Sequence, residues 1–440
     1  MRDLLSIAHM ACEVAKGEGA EFVDVVASIW RDVSVELDKG AIKSSDVRWG
    51  SYVSVRAFIK GGMGASSISG SFEEEDVALC ARRAVEMARI AQPDPDFVSL
   101  PEPLPYKEVE GLYDPRIEAI EVSRLIDFLG MNVDEAISVC PEVVVNGGSN
   151  ASFGESALVN SLGVEVRNKW TSIGLSIFSV VKKGDDVGSY YEFDSARVLS
   201  DFVPQGIGRK ATEGALSFLG ARKVETKPMA VILGPLATHG LFSSICSCAS
   251  AEEIQRNRSF LIGKKGEMIA SELITVVDDG TYPRGMFSSP CDGEGFPRRP
   301  LTVIENGVLK SWLHNSYTAN KAKEENTGHS TRGGISPTNV RILPGKITSE
   351  EIIGSTDEGI YILSGSVSPN STTGEISATI DFGFKVERGR IAYPVKNAMI
   401  GINAIEFMKK IDAVSSDYRE EPGLIMPTVR AQNVLVAGGI

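Results

Sequence analysis

Two short acidic stretches carry the side chains best suited to chemistry. Asp278 and Asp279 precede Gly280, and Asp292 and Glu294 follow in a second glycine-rich stretch. Neighbouring carboxylates can exchange protons with a substrate or hold a divalent cation through their oxygens. Asp-Gly pairs are equally typical of tight turns, because Asp tolerates a left-handed backbone and Gly adopts positive φ. Turn formation is the favoured interpretation, and acid–base or metal chemistry is the alternative.

Three further residues complete a predicted groove or interface around these carboxylates. Arg258 is a basic residue that precedes them in the chain. We expect it to form an internal ion pair with an aspartate of these loops, and the alternative is a clamp for a peptide carboxylate. Trp312 and Tyr317 follow the acidic stretches, and they are either core aromatics or the lining of a surface for a partner chain or an extended peptide.

His239, Cys246, Cys248 and Cys291 are the candidate ligands if the chain binds zinc. Thiolate and imidazole suit that metal. The spacing argues against such a site, because structural zinc pairs usually have two to four intervening residues and Cys246 and Cys248 point to different faces of a helix. We therefore predict buried free thiols, a structural role for His239, and no bound metal or other cofactor.

The chain divides by pattern into two parts. Segments in which apolar residues recur every three or four positions alternate with segments rich in β-branched residues. This pattern predicts an N-terminal α+β domain over 1–222. Within it, the order helix, antiparallel strands, helix occurs at 1–91 and again at 117–219, as an internal repeat. Strands and turns dominate the remainder, which predicts a β-rich C-terminal domain over 223–440. The predicted fold class is α+β.

Helices in the second part of the repeat are predicted over Ile117–Val139 and Val203–Leu219. After the strand Met229–Leu233, a further helix is predicted over Pro235–Ser250. This last helix carries His239 and two of the candidate thiols.

Composition limits the classes of function. The 440 residues carry a net charge of −13, with 42% hydrophobic and 23% charged residues. Direct nucleic-acid binding is not expected, because the charge is acidic and no dense Lys/Arg stripe offsets it. No apolar run of about 18 residues predicts a membrane span, and the first residues do not read as a signal peptide. A cytoplasmic protein without disulfides is expected.

Several segments of the C-terminal part together resemble the TldD/PmbA family, the so-called modulators of DNA gyrase. They are NRSFLIGKKGE, VVDDG, CDGEGFP and IENGVLKSWLHNSYTA, all between Asn257 and Ala319, and PTVRAQNVLVAGG, from Pro427 to Gly439. The resemblance covers the C-terminal half well and the N-terminal half loosely. Catalytic members of that family are metallopeptidases with a helical HExxxH motif, and this sequence contains no HExxxH.

The resemblance therefore implies a PmbA/TldE-type chain, the non-catalytic subunit of a TldD/TldE metallopeptidase. If His239 stands at the first position of the motif, Gly240 replaces the general base and Ser244 the second histidine. The implied partners are a TldD-like catalytic subunit, a peptide substrate bound through the complex, and a second copy of the chain when it is isolated.

Two alternatives from other classes stay open at this point. One is a peptidase in its own right, which uses Asp278, Asp279, Asp292 and Glu294 with a metal other than zinc. The other is a gyrase-binding regulator without a proteolytic role.

Overall fold

The N-terminal half of the computed structural model is built on one antiparallel sheet. The structure describes residues 3–365 and 367–439. The elements of this half are α1 (Leu4–Gly17), β1 (Phe22–Asp38), β2 (Ala41–Ile59), β3 (Gly62–Ser69), α2 (Glu74–Ile90), α3 (Pro115–Glu118), α4 (Val122–Val139), β4 (Val144–Asn160), β5 (Glu165–Lys183), β6 (Asp186–Ala196) and α5 (Ile207–Ser217). Six strands form the sheet in the order β3-β2-β1-β4-β5-β6.

The same order of elements occurs twice in this half. α1-β1-β2-β3-α2 is followed by α4-β4-β5-β6-α5, and β1 pairs antiparallel with β4 at the centre of the sheet. Along β1 the residues Val23, Val25 and Ala27 are buried and pack against α1 and α2. Their period of two places them on one face, so the four long helices all cover the same side of the sheet.

Two helices differ from the sequence prediction. The segment Ile117–Val139 is divided, because α3 ends at Glu118 and α4 begins at Val122. Arg31 stabilises the break, since its guanidinium donates to the carbonyl oxygens of Glu118 at 2.7 Å and Ile120 at 3.0 Å. The helix predicted from Val203 begins only at Ile207, after Gly206 with φ of 84°.

The C-terminal half contains a large mixed sheet around a central helix. Its elements are β7 (Lys227–Leu233), α6 (Pro235–Cys248), α7 (Ala251–Gln255), β8 (Val276–Asp279), β9 (Pro300–Glu305), β10 (Val308–Leu309), α8 (Ser316–Ala322), β11 (Ser330–Thr331), β12 (Gly334–Ile335), β13 (Val340–Ile342), α9 (Ser349–Gly354), β14 (Glu358–Ser364), β15 (Glu375–Thr379), β16 (Phe382–Glu387), β17 (Arg390–Pro394), β18 (Ala398–Asn403), α10 (Ala404–Lys409), β19 (Ile411–Glu421) and β20 (Leu424–Gly438).

Twelve strands make up this sheet, with the path β10-β9-β8-β13-β20-β7-β14-β16-β17, and β15, β18 and β19 joined beside β20. Only the pairs β7–β14 and β13–β20 are parallel among the described strand pairs of this sheet. Leu241, Phe242 and Ile245 of α6 are fully buried in its core. The α+β class is confirmed. No helix in the described ranges is long and apolar enough to cross a membrane.

The open face of the N-terminal sheet meets loops of the C-terminal half. Arg56 on β2 and Arg332 next to β11 contact the same carboxylate, and Arg197 after β6 reaches the loop at 285–288. The two halves therefore enclose grooves between the sheet and these loops.

Candidate functional site

A cleft with an aromatic lining lies between the end of β2 and the C-terminal half. Its volume is about 380 Å³. One wall comes from β2, the β2–β3 turn and the segment 94–100, and the other from the residues around α7, α8 and β11. Its lining includes Arg56, Phe58, Asp94, Phe97, Glu294, Tyr317 and Arg332.

A buried ion cluster forms the floor of this cleft. Arg56 donates from Nε to both carboxylate oxygens of Asp24, at 3.1 and 2.9 Å, and Arg332 Nη1 lies 2.8 Å from Asp24 Oδ1. Burial alone would raise the pKa of Asp24, but the charges of Arg332 and Arg56 outweigh it and hold this pKa below its usual range. Glu294 Oε1, 4.0 Å from Arg56, supplies the second negative charge.

The second acidic stretch is organised by backbone amides. Asp292 accepts hydrogen bonds from the N–H groups of Glu294 at 2.9 Å, Phe296 at 3.0 Å and Ser330 at 3.0 Å. Burial and the nearby Glu294 charge raise the pKa of Asp292 to about 6. Glu294 accepts from the Ser316 N–H at 3.1 Å, which connects this turn to the start of α8. The turn interpretation thus describes the geometry of Asp292.

Asp278 and Asp279 lie at the end of β8 and accept hydrogen bonds from different neighbours. Asp278 is fully buried, accepts from the Thr338 backbone N–H at 2.6 Å, and lies 3.2 Å from Nε2 of His329. Asp279 accepts from both the N–H and the hydroxyl of Thr281, each at 2.9 Å. Neither residue lines the cleft.

Tyr317 is the predicted aromatic that reaches the cleft. Its hydroxyl donates to Asp94 at 2.9 Å, across the boundary between the two halves. Phe58 and Phe97 stack beside it, with ring centroids 4.2 Å apart. Trp312 instead lies in the C-terminal core. Tyr317 thus contributes to the wall of the cleft and Trp312 to the packing beneath it.

Arg258 lies outside the cleft on the surface. Its guanidinium donates to Glu253 at 2.7 Å, so its ion pair is formed with the end of α7 and not with an aspartate of the acidic loops. The prediction that Arg258 forms an ion pair with an aspartate of the acidic loops is therefore wrong, and its partner is Glu253.

The residues considered as zinc ligands are dispersed along and beyond α6. His239 Nε2 lies 2.8 Å from Ser243 Oγ, and burial lowers the pKa of this imidazole. Burial raises the pKa of the Cys246 thiol, that of Cys248 to about 11 and that of Cys291 to about 12. Within the described residues, no three His, Cys, Asp or Glu side chains are grouped so that they could hold a metal ion.

The residues that join the two halves were not predicted from the sequence. Asp24, Arg56 and Arg332 form the cleft floor, and Arg197 donates to the carbonyl oxygens of Gly285 at 3.1 Å and of Met286 at 2.8 Å. Burial lowers the pKa of Arg197 to about 10. One signal was available, since Asp24 interrupts the apolar run from Phe22 to Val26.

Three family models together match most of the chain. They describe the PmbA/TldA metallopeptidase domain 1, central domain and C-terminal domain, and they match residues 23–88, 115–219 and 226–438. An uncharacterized protein of Methanocaldococcus jannaschii is 30% identical over 406 residues, which is 90% of this chain and 92% of the relative. The chain belongs to the PmbA/TldD metallopeptidase family.

Other members of the family match along their whole length. The metalloprotease PmbA of Escherichia coli O157:H7 is 26% identical over 438 residues, 97% of this chain and 94% of the relative. The crystal structure of TldE from Thermococcus kodakarensis superposes with a TM-score of 0.90 at 26% identity, and the match covers 98% of this chain and 100% of that one. The PmbA/TldD family assignment therefore covers both halves of the chain.

Proposed function

We propose that this chain is the non-catalytic, PmbA/TldE-type subunit of a two-chain metallopeptidase that cleaves peptides or unfolded proteins. The observation that carries the proposal is helix α6, where the catalytic members of the family have HExxxH. If His239 is taken as the first histidine of the motif, Gly240 stands in place of the glutamate and Ser244 in place of the second histidine. Gly240 cannot act as a general base, and a serine hydroxyl is a poor zinc ligand beside a lone imidazole.

The surroundings of α6 support the same proposal. The imidazole of His239 is beside Ser243, and the Ser244 hydroxyl donates to the Gly240 carbonyl at 2.9 Å. His239 and Ser243 are therefore paired with each other, and Ser244 is paired with the helix backbone. Zinc and the catalytic glutamate would come from a TldD-like partner chain of the same family, and this chain would contribute binding surface for the peptide.

The geometry disfavours the alternative of a peptidase built from the chain's own carboxylates. Asp278 binds the Thr338 N–H and Asp279 binds Thr281, while Asp292 closes its turn through backbone amides. Glu294 is engaged by Ser316 and faces Arg56. The oxygens of these carboxylates are thus occupied by structural hydrogen bonds, and the carboxylates do not converge on one point.

The test mixes this chain with an HExxxH-bearing family member from the same genome. We expect a stable heteromeric complex by size-exclusion chromatography with light scattering, and cleavage of an unstructured peptide by the mixture. The control replaces the glutamate of HExxxH by Gln in the partner, which should abolish cleavage and leave the complex intact. Zinc-dependent cleavage by this chain alone would refute the proposal, as would the failure of the two chains to associate. A stable complex with gyrase and none with the HExxxH chain would favour the regulator alternative.

A further inference from the structure

Two arginines at the floor of the cleft keep hydrogen-bond donors that the chain does not use. Arg56 donates to Asp24 from Nε and Nη2. Arg332 donates to the Ser54 hydroxyl from Nη2 at 3.1 Å. Nη1 of Arg56 and Nε of Arg332 donate to no described residue, and neither nitrogen is fully buried, so both stay available in the cleft that these residues line. Free guanidinium donors favour an acceptor with a negative charge, above all a carboxylate.

The charges that line the cleft admit such an anion. The basic lining residues are Arg56, Arg256, Lys321 and Arg332, and the acidic lining residues are Asp94, Glu252 and Glu294. Asp24 lies beneath the floor and does not line the cleft. The lining is thus far less acidic than the chain as a whole, which has a net charge of −13.

An aromatic wall begins two residues along the same strand from Arg56. Phe58 lies at i+2 of Arg56 and therefore on the same open face of β2, roughly 7 Å away along the strand. Phe97 stacks on Phe58 with ring centroids 4.2 Å apart, and Tyr317 lines the cleft beside them. We call Phe58, Phe97 and Tyr317 the aromatic wall. One aromatic amino-acid residue can span from the guanidinium groups to this wall, where its ring gains contacts with the other rings.

We propose that the cleft binds the C-terminal residue of a peptide, with its free α-carboxylate on Arg56 and Arg332 and an aromatic side chain against the aromatic wall. That the ligand is a peptide rests on the proposed function, and the preference for its C-terminal aromatic residue rests on the cleft. Thr331 and Arg332 also line a second groove of about 320 Å³, which runs beside the open sheet face at Val26 and Leu158. The preceding residues of the peptide continue into this groove.

Titration calorimetry on the chain alone tests the ligand without any catalytic partner. The probe is acetyl-Ala-Ala-Ala-Phe with a free C-terminal carboxylate, and we expect a Kd of roughly 10 µM to 1 mM. The same peptide with a C-terminal amide should bind roughly tenfold or more weakly, because its charged hydrogen bonds to the arginines are lost. Acetyl-Ala-Ala-Ala-Ala with a free carboxylate should also bind more weakly, by about tenfold, because it does not contact the aromatic wall. Equal binding of the acid and the amide, or no binding of the acid up to about 2 mM, would overturn the proposal.

N-acetylphenylalanine distinguishes a peptide from a free aromatic acid. It has the same carboxylate and ring but nothing to place in the second groove, so it should bind more weakly than the tetrapeptide. Equal affinity of the two would overturn the assignment of a peptide to this site.

A conservative variant tests the carboxylate contact. Arg332→Lys keeps a positive charge near Asp24 and removes the Nε donor, so the preference for acid over amide should fall to about threefold or less. Arg258→Lys is the matched control on the exposed surface outside the cleft, and it should keep the wild-type preference. Phe97→Leu should reduce the preference for Phe over Ala and leave the preference for acid over amide. A folded Arg332→Lys protein with the full wild-type preference would contradict the assignment.

This proposal and the proposed function fail separately. A chain that forms the cleaving complex but does not distinguish the acid from the amide would refute the C-terminal site alone. A chain that binds the acid peptide but never associates with an HExxxH-bearing chain would refute the subunit role and leave the site established.

Discussion

Asp24 and Arg332 connect the two halves of the molecule, with Asp24 Oδ1 and Arg332 Nη1 separated by 2.8 Å. Asp24 lies on the central strand β1 and is only 1% exposed. Arg332 follows β11 and also donates to the Ser54 hydroxyl at 3.1 Å. Since Arg56 shares the same carboxylate, a single buried acid balances two guanidinium groups across the boundary.

Replacement of Asp24 by Asn should therefore cost more than the loss of a surface ion pair. It leaves the partly buried Arg56 and Arg332 with Glu294 and Asp292 as the acids nearby, and removal of one partner from a buried pair costs about 3–5 kcal/mol. The free energy of unfolding, measured by urea denaturation, should fall by that amount. Glu13→Gln, in the exposed pair with Lys16, is the control and should change it by less than about 1 kcal/mol. Equal effects of the two substitutions would contradict this account of the cluster.

Arg197 makes a second connection that can be tested separately. It donates to the carbonyl oxygens of Gly285, Met286 and Ser288 from a buried position, and no acid among the described residues forms an ion pair with it within 4 Å. Arg197→Ala should destabilise the protein by about 2–4 kcal/mol, because charged hydrogen bonds are lost and buried carbonyls are left without a donor. It should also increase proteolytic cleavage in 285–288.

The matched control for that experiment is Arg209→Ala on α5, where the arginine is exposed. Its free energy of unfolding and its cleavage pattern should match the wild type. Unchanged protease resistance of the loop in Arg197→Ala would show that other contacts hold it.

The sequence predicted the helices and strands better than the contacts between the two halves of the molecule. Val23, Val25 and Ala27 alternate with period two, and this local signal suffices to place β1 with one buried face. By the same rule Asp24 lies on the opposite face and is predicted to be exposed to solvent. It is buried because Arg332, more than three hundred residues later, comes to lie over it. Local periodicity contains no information on such long-range charge pairing.

The candidate site shows the same limit. Turn chemistry at Asp292 followed from the Asp-Gly pattern, since Asx turns depend on the residues within a few positions. The burial of Trp312 depends on where distant segments pack, so its contacts could not be predicted from the sequence. The partner of Arg258 is different, because Glu253 lies only five residues earlier and the local sequence already offered it.

Asp292 should make stability depend on pH in weak acid. Its pKa is raised from 3.8 to about 6 in the folded chain, so folding favours the protonated carboxyl. The stabilising contribution is complete below about pH 4 and is lost as pH rises through about 6. Relative to Asp292→Asn, which does not titrate, the wild type should lose about 2 kcal/mol between pH 4 and 7.

The measurement is urea denaturation of both proteins across that range. The variant also loses an acceptor for the Ser330 N–H, which adds a constant offset and no pH dependence. A difference between the two proteins that is flat with pH would show that Asp292 titrates normally. A difference of the opposite slope would show that its backbone hydrogen bonds prevail over burial.

Two glycines in the N-terminal half should respond oppositely to the same substitution. Gly64 on β3 lies so close to α2 that an added Cβ would collide with the carbonyl oxygen of Ala84 and the backbone nitrogen of Ala88. Backbone atoms cannot move aside as a flexible side chain can, so Gly64→Ala should destabilise by about 1–3 kcal/mol through overpacking.

Gly130 lies on the exposed side of α4 with nothing within 4 Å of its added Cβ, and Gly130→Ala should stabilise by about 0.5–1 kcal/mol through helix propensity. Thermal and urea denaturation of the two variants measure both changes. A stable Gly64→Ala protein would mean that α2 can shift away from β3, and the packing of the first repeat would then be looser than the structure shows.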